Sequence, residues 1–419
     1  MPIDVPRAFQ AALADHADHW NAPLIGLAVS GGGDSTAMLH LAARFFRHET
    51  LRVITVDHGL RAEAAVEIAQ VADQSAALGI PHQRVTWRWD GQGNLQAAAR
   101  AGRWAAISEW ALAAGIGHVW LGHTEDDQIE TLLMRLARGS GVDGLTGMFP
   151  ASKRDGLSLF RPLLRCSREA LRNWLRAENI NWSDDPSNDD PRFDRVKARQ
   201  MIDQLAALGM TRKRLLQTAA HMQAAQMTLQ RAAFDLAQTH VAQDTGDLLL
   251  APPVLDVSAD DAPRRVIAAA LLWVGGGPYR PRFDSMIKAV DSVAKGATVT
   301  LAGCVLCPNG DGRMRIAREA AATPVVRRAT LQNAAGVTWD KRWFLAGPLK
   351  PDYHYAALGE GLADCPDWRN VGLPRRSLLA SPAVWHGSGL IAAPVAGLAN
   401  GWSAQIVADF HSSAFAIED

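Results

Sequence analysis

The sequence has few cysteines, no excess of either charge and no long apolar run. Four cysteines in 419 residues are far too few for a disulfide framework, which favours a reducing compartment. Lys plus Arg and Asp plus Glu each total 43, so any nucleic-acid surface would have to be a local patch. The longest apolar stretch, Val266 to Val274, is too short to cross a bilayer, and the opening MPIDVPRAFQ has no signal-peptide core. These absences predict a cytoplasmic protein without a membrane segment.

The length and the hydrophobic content predict more than one folded domain. At 419 residues and 48% hydrophobic composition, the chain exceeds what a single core usually organises. An Ala- and Gln-rich helical stretch, an alternating stretch with an NGDG hairpin turn, and a shift towards Pro, Gly and Trp follow one another in the second half. We therefore predict an α/β domain over 1–210, a helical and hairpin domain over 211–322 and a small α+β domain over 323–419.

Short apolar runs alternate with longer amphipathic ones from residue 24 onwards. LIGLAVS, LRVITVD, HQRVTW and HVWLG are typical of buried strands, and each precedes a segment with helical periodicity. This alternation predicts a doubly wound parallel sheet. Ligands of such sheets bind at the carboxyl ends of the strands, so residues at those ends are the candidates for function.

The end of the first strand carries a glycine-rich, serine-bracketed loop, SGGGDS, before the first helix of the sheet. Glycines let backbone amides approach phosphate oxygens, and the helix start adds N–H groups and a favourable dipole. A carboxylate beside a polyphosphate is repulsive unless a cation lies between them, so Asp34 is a candidate Mg²⁺ ligand. A plain glycine-rich turn with a capping serine is the simpler interpretation. The candidate phosphate-binding residues are Ser30, Gly31, Gly32, Gly33, Asp34 and Ser35.

Polar residues also follow the second and fourth strands. Asp57 and His58 end the second strand. His123, Asp127 and Glu130 follow the fourth, at helical spacings of four and three that bring them to one face. A cation site or a pocket for a substrate amine explains this cluster better than helix capping alone.

The start of the third helix of the sheet adds two basic candidates. Arg100 and Arg103 follow Asn94 there and are candidates for phosphate contact, the alternative being a solvated helix face.

These motifs together resemble one family. SGGGDS resembles the PP-loop of ATP pyrophosphatases, which cleave ATP to AMP and pyrophosphate. SGGGDS, VDHGLR, NLQAAARAGRW, LGHTEDDQIETLLMRLARGSGVDGLTGM, RPLL and DDPSN, in this order, are similar to the tRNA(Ile)-lysidine synthases. The match is dense over the first half and weak beyond it. Trp104 stands where the family usually has Tyr, and FDRVKAR departs from the family near Arg195 and Arg199, whose roles stay open.

The resemblance implies a fold, a reaction and a set of roles. The fold would be the adenine nucleotide alpha hydrolase-like PP-loop fold, with residues 1–210 as the ATP-binding catalytic domain and 211–322 as a tRNA domain. ATP and Mg²⁺ would activate the wobble cytidine of a CAU-anticodon isoleucine tRNA as an adenylate, and L-lysine would displace AMP at C2 to form lysidine. Pyrophosphate and AMP would be released.

The same resemblance assigns the candidate residues to catalysis, Mg²⁺ binding and nucleotide binding. Catalysis would fall to Asp34, Arg100, Asp127 and Glu130, with Arg100 on the α-phosphate, Glu130 on the lysine ammonium and Mg²⁺ on Asp34 and Asp127. Nucleotide binding would fall to Ser30, Gly31, Gly32, Gly33, Asp34, Ser35, Asp57, His58 and His123.

Several alternatives remain open at this level. Arg165, Arg168, Arg172 and Arg176 recur at helical spacing, and a solvated face is at least as good an interpretation as a tRNA contact. A PP-loop thiolation enzyme would use a cysteine pair such as Cys304 and Cys307, although three residues apart on a strand they point to opposite faces. An ammonia-using synthetase and an inactive tRNA-binding module are further alternatives. The oligomeric state is open, with a homodimer among the options.

Overall fold

The computed structural model describes residues 3–17, 22–59, 64–91, 93, 95–184, 194–258, 260–277, 279–326, 336–407 and 409–415. The chain divides into two compact units, the first covering Met1–Gln226 and the second Met227–Ala416. The division into three domains stays a prediction.

The first unit is built on a six-stranded sheet with the order β3-β2-β1-β4-β6-β5. All neighbouring pairs are parallel except β5 and β6, which form an antiparallel hairpin at one edge. The predicted doubly wound parallel sheet is therefore confirmed. The strands are β1 Ile25–Ala28, β2 Leu51–Asp57, β3 His82–Thr86, β4 His118–Leu121, β5 Ala151–Arg154 and β6 Leu157–Phe160.

Helices cover both faces of this sheet because successive residues of a strand face opposite sides. On β2, Val53 packs into a cluster with Phe9 and Leu171, whereas its neighbour Ile54 packs against Trp110 on the other face. The helices that begin in this unit are α1 Val5–Asp15, α2 Gly33–Phe45, α3 Ala64–Ala77, α4 Leu95–Ala113, α5 Glu125–Leu136, α6 Val142–Leu145, α7 Arg168–Ala177, α8 Asp194–Ala207 and α9 Arg212–His240.

The second unit combines helices with three antiparallel sheets. The NGDG segment joins Cys304–Pro308 to Met314–Arg318 as an antiparallel hairpin, as predicted. Its helices are α10 Pro252–Leu255, α11 Asp261–Gly275, α12 Phe283–Ala294, α13 Arg375–Leu379 and α14 Phe410–Ser413. Its strands are β7 Val241–Asp244, β8 Asp247–Leu250, β9 Val299–Leu301, β10 Cys304–Pro308, β11 Met314–Arg318, β12 Val337–Trp339, β13 Trp343–Ala346, β14 Tyr353–Ala357, β15 Pro382–His386, β16 Gly389–Ala392 and β17 Ser403–Ile406. Within the described residues, no helix has the length and apolar character needed to cross a membrane.

Candidate active site

The loop between β1 and α2 has the geometry of an anion site. Gly31 has a φ of +92°, a conformation that side chains disfavour, and Gly32 caps α2 without a side-chain hydrogen bond. The Ser35 hydroxyl lies 3.1 Å from the Ser30 amide, which donates to it, and 3.1 Å from the Gly32 carbonyl, to which it donates. The serines thus brace the loop internally. The first-turn N–H groups of a helix have no acceptor within the helix, so this end of α2 is suited to bind phosphate.

The end of β4 lies directly against this loop. A Cβ added at Gly122 would lie 3.0 Å from the Ser35 Cα and 3.1 Å from its backbone N. Only a glycine lets the two backbones approach so closely without displacing one of them. This contact brings the residues that follow β4 to the phosphate loop.

The next helix, α5, begins with a capping box. The Asp127 amide donates to the Thr124 hydroxyl at 3.4 Å, while one carboxylate oxygen of Asp127 accepts from the Thr124 amide at 2.8 Å and hydroxyl at 2.9 Å. Capping therefore orients the Asp127 side chain and leaves its other oxygen, Oδ1, for contacts across the site. Glu130, one turn further on, is fully buried, with 0% of its side chain exposed.

Arg168 joins the acids of the loop and the helix through a single guanidinium group. Its Nε lies 3.2 Å from Asp34 Oδ2, its Nη2 2.6 Å from Asp127 Oδ1, and its Nη1 2.6 Å from Glu130 Oε1. Only 19% of the Arg168 side chain is exposed. The expectation of a solvated face is therefore wrong for Arg168, because the start of α7 lies against the acidic cluster.

The other arginines of that helical pattern have separate partners. Arg165 binds Asp15 at 2.8 Å, and Arg172 binds Asp184 at 2.8 Å. Arg176 lies over the Trp182 ring, 5.5 Å from its centre. Arginines that share one helical spacing in the sequence therefore lie in different environments.

Two arginines of α8 face the same acids. Arg199 Nε donates to Glu130 Oε1 at 3.0 Å, and Arg195 Nη1 lies 3.7 Å from Asp127 Oδ1. Both belong to the FDRVKAR stretch, whose roles the sequence left open. Three guanidinium groups therefore face three carboxylates in this cluster.

The acids of the cluster differ in their protonation. Burial raises the pKa of Asp34 to about 6, although Arg168 partly opposes this shift. Burial raises the pKa of Asp127, but Arg168, Arg195 and the hydrogen bond from the Thr124 amide outweigh burial and hold this pKa below its usual range. At neutral pH Asp127 is thus firmly ionised, while Asp34 is held in an environment that disfavours its charge.

His123 is positioned by a buried arginine. Arg161 is only 1% exposed, and its Nε donates to His123 Nδ1 at 3.3 Å. Arg161 is itself held by the Phe149 carbonyl at 2.8 Å and the Ser152 hydroxyl at 3.0 Å. Burial lowers the pKa of His123 to about 4, so the ring is neutral and accepts through Nδ1.

At the end of β2, Asp57 organises its own turn. Its Oδ1 accepts from the Gly59 amide at 2.8 Å, and its Oδ2 binds Arg84. These contacts hold the pKa of Asp57 below its usual range. His58, whose pKa is lowered by burial and by Arg103, has a buried Nδ1 with no hydrogen-bond partner among the described residues.

The remaining predicted residues are less informative. Arg100 and Arg103 lie on α4 with exposed side chains. Asn94, the Leu60–Arg61 end of VDHGLR, and all of DDPSN except Asp184 lie outside the described residues.

Asp34 is the carboxylate of this site that best suits a metal ion. The part of the chain that the structure describes contains no group of three or more His, Cys, Asp and Glu side chains arranged to hold a metal. Mg²⁺ in nucleotide sites commonly takes one or two carboxylates together with phosphates and water. Asp34 Oδ1 receives no hydrogen bond from the described residues, whereas both oxygens of Asp127 are engaged. The donor set at Asp34 therefore fits an ion that arrives with the nucleotide.

Comparison with known proteins agrees with this geometry. A PP-loop domain family model matches residues 5–205. A tRNA(Ile)-lysidine synthase from Ruegeria pomeroyi is 46% identical over 396 residues, which is 93% of each chain. The chain belongs to the tRNA(Ile)-lysidine synthase family.

A family member from a Methylobacterium species is 38% identical over 70% of this chain and 88% of its own. Among solved structures, a tRNA thiolase, NcsA from Methanococcus maripaludis, matches at 15% identity and a TM-score of 0.45 over 52% of this chain and 78% of that chain. So distant a likeness says nothing about function. As a family member, this protein is an ATP-dependent enzyme with a PP-loop domain.

Sequence reasoning missed Arg161 as the partner of His123 and Arg168 as the partner of three acids. RPLL did single out the segment around Arg161, but nothing local indicates that this arginine is buried. For Arg168 the sequence offered its place in the helical arginine pattern and its position after Ser167, whose hydroxyl caps α7 by accepting from the Ala170 amide at 3.2 Å.

Proposed function

We propose that this protein joins L-lysine to C2 of the wobble cytidine in a CAU-anticodon isoleucine tRNA, using ATP and releasing AMP and pyrophosphate. The observation that carries the proposal is that Arg168 bonds to Asp34 of the phosphate loop and to Asp127 and Glu130 of the acidic helix at once. One site thus combines groups suited to a polyphosphate with groups suited to an ammonium.

The loop supports the nucleotide part of the reaction. The amides at the start of α2 and the hydroxyls of Ser30 and Ser35 suit the phosphates of ATP. Asp34 would hold Mg²⁺, which neutralises charge on the polyphosphate. Asp127 would join it only by exchanging its contact with Arg168. Arg100 is the candidate cation for the α-phosphate, and His58 offers an unsatisfied ring nitrogen at the neighbouring strand end.

The chemistry then proceeds in two displacements. The cytosine O2 attacks the α-phosphorus of ATP, and pyrophosphate leaves. The lysine amine attacks C2 of the adenylated base, a C–N bond forms, and AMP leaves with the former O2. The amine loses a proton in this step, and Asp127 and Glu130 are the carboxylates in reach to hold the ammonium and accept that proton.

The thiolation alternative finds no support in the cysteines. Cys304 is fully buried in the core of the second unit, and burial raises its pKa to about 12. Burial also raises the pKa of Cys307. A thiolating cysteine has to act as a thiolate, and both environments oppose that form.

The decisive experiment measures pyrophosphate release from ATP with total tRNA, with and without lysine, followed by mass analysis of the tRNA. We expect turnover to require both tRNA and lysine, or a tRNA-dependent adenylate to accumulate when lysine is omitted. Turnover without tRNA would identify a small-molecule synthetase instead. Sulfur in the product would identify a thiolation enzyme.

A further inference from the structure

Glu130 is buried behind arginine side chains, of which Arg168 makes the shortest contact with its carboxylate. Glu130 is completely buried, and all of its hydrogen bonds come from arginines: Oε1 from Arg168 at 2.6 Å and Arg199 at 3.0 Å, and Oε2 from Arg168 at 3.4 Å. Among the described residues, nothing else contacts this carboxylate through a hydrogen bond. The carboxylate that best suits an amine is therefore already bonded to cations of the protein.

The charge of the cluster leads to the same conclusion. Asp34, Asp127 and Glu130 face the guanidinium groups of Arg168, Arg195 and Arg199, so the formal charges balance. Before a nucleotide binds, a further ammonium entering this cluster would leave it with an excess positive charge in a poorly solvated space, which is unfavourable. An amine that binds Glu130 in this state therefore has to displace one of the resident cations.

Arg168 is the resident cation whose movement frees Glu130 most, because it supplies two of the three hydrogen bonds to that carboxylate and Arg199 supplies one. It uses its three guanidinium nitrogens on three different carboxylates, and it is the only one of the three arginines with a contact to Asp34 among the described residues. Its backbone is held independently, since the Arg168 amide donates to Asp126 Oδ2 at 2.8 Å. The side chain can therefore move without unwinding the start of α7.

We propose that Arg168 is a positioning residue that holds the three carboxylates in register in the free enzyme and releases Glu130 to the lysine ammonium on binding. Arg168 thus has two effects of opposite sign on catalysis. It aligns Asp34 and Asp127 for the reaction, and it competes with lysine for Glu130. This inference rests on the proposed function, because it names the resident competitor at the amine site.

The test is a kinetic comparison of wild type, Arg168→Ala and Arg44→Ala, with lysine and ATP titrated separately. Arg44 forms an exposed ion pair with Glu178 at 3.3 Å and serves as the matched control. Loss of alignment in Arg168→Ala is expected to lower kcat on the order of ten- to a hundredfold. Loss of the competitor is expected to lower the KM for lysine several-fold while the KM for ATP changes less.

Guanidinium chloride, kept well below unfolding concentrations, supplies the readout that a purely structural role would not give. In Arg168→Ala it should raise kcat and also raise the KM for lysine, because the added cation both realigns the acids and competes with the amine. It should do neither in Arg44→Ala. A fall in kcat without any change in lysine KM and without rescue would overturn the proposal.

Arg168→Lys covers the case in which the alanine variant does not fold. One ammonium group cannot bond to three carboxylates in the way a planar guanidinium does, so kcat should again fall. An unchanged kcat would overturn the proposal. Wild-type enzyme without lysine-dependent turnover would refute the proposed function itself, whereas normal wild-type turnover with unchanged Arg168→Ala kinetics would refute only the exchange.

Discussion

Arg161 donates to His123 across 3.3 Å, and this contact assigns the proton of the imidazole to Nε2. An arginine is always a donor, so Nδ1 of His123 must be the acceptor and the ring must be neutral. The positive charge of Arg161 then adds to burial in disfavouring a second ring proton.

His123→Gln should alter the acid stability of the protein. The pKa of His123 is lowered from 6.5 to about 4 in the fold, so the unfolded chain takes up its proton first as pH falls. Wild type should lose stability between about pH 6.5 and 4, on the order of 2–3 kcal/mol from this group. Urea titrations at pH 7 and pH 5 measure the free energy of unfolding, which should fall less between these pH values in the variant than in wild type. Equal losses in both proteins would contradict the assignment.

Asp34→Asn should abolish pyrophosphate release yet stabilise the free enzyme. The fold raises the pKa of Asp34 from 3.8 to about 6, so ionisation of this group opposes folding above that range. The variant should gain roughly 1–3 kcal/mol over wild type at pH 8, and the gain should vanish below about pH 4. Denaturant unfolding at both pH values measures the gain. A variant that retains wild-type turnover would exclude Asp34 from the nucleotide site.

Glu130→Gln should raise the lysine requirement by roughly ten- to a hundredfold, because a charge-assisted hydrogen bond is lost. The ATP requirement should change much less. Glu125→Gln, on the same helix and 3.7 Å from Arg212, is the control and should leave both requirements near wild type. If the ATP requirement rises and lysine saturation does not change, Glu130 belongs to the metal site.

Gly122→Ala should impair ATP use by displacing the backbone of the phosphate loop. The new Cβ would lie 3.0 Å from the Ser35 Cα, so the phosphate loop must shift by a few tenths of an ångström. We expect a loss of turnover of about tenfold or more. Gly117→Ala, just before β4, has no neighbour within 4 Å of the added carbon and should be nearly silent. Equal activity of the two variants would show that the close approach is not needed.

Replacing Cys304 and Cys307 with Ser should leave turnover near wild type. Cys304 is fully buried, so a modest loss of stability is expected from that position. Turnover and thermal unfolding of the double variant, with Cys307→Ser as the milder control, test this. Loss of activity in a folded double variant would favour a thiol mechanism.

The local features of this protein were predictable because neighbouring residues determine them. Alternation of strands and helices predicted the parallel sheet, and the loop at Ser30–Ser35 follows from glycines and serines close together in the chain. The shared face of Asp127 and Glu130 follows from helical spacing, whereas the predicted helical position of His123 is wrong, because α5 begins at Glu125 after the N-cap Thr124. The β5–β6 hairpin was not predicted, because its short strands carry little pattern.

Only the tertiary structure determined which arginine bonds to Asp34 and Asp127. Arg168 is 134 residues from Asp34 and 41 from Asp127, so their contact depends on how the sheet returns the chain to the phosphate loop. In the sequence Arg168 has the same spacing as Arg165 and Arg172, which lie in quite different surroundings. Periodicity assigns a residue to a face of its helix, but the partner of that face depends on contacts between segments far apart in the chain.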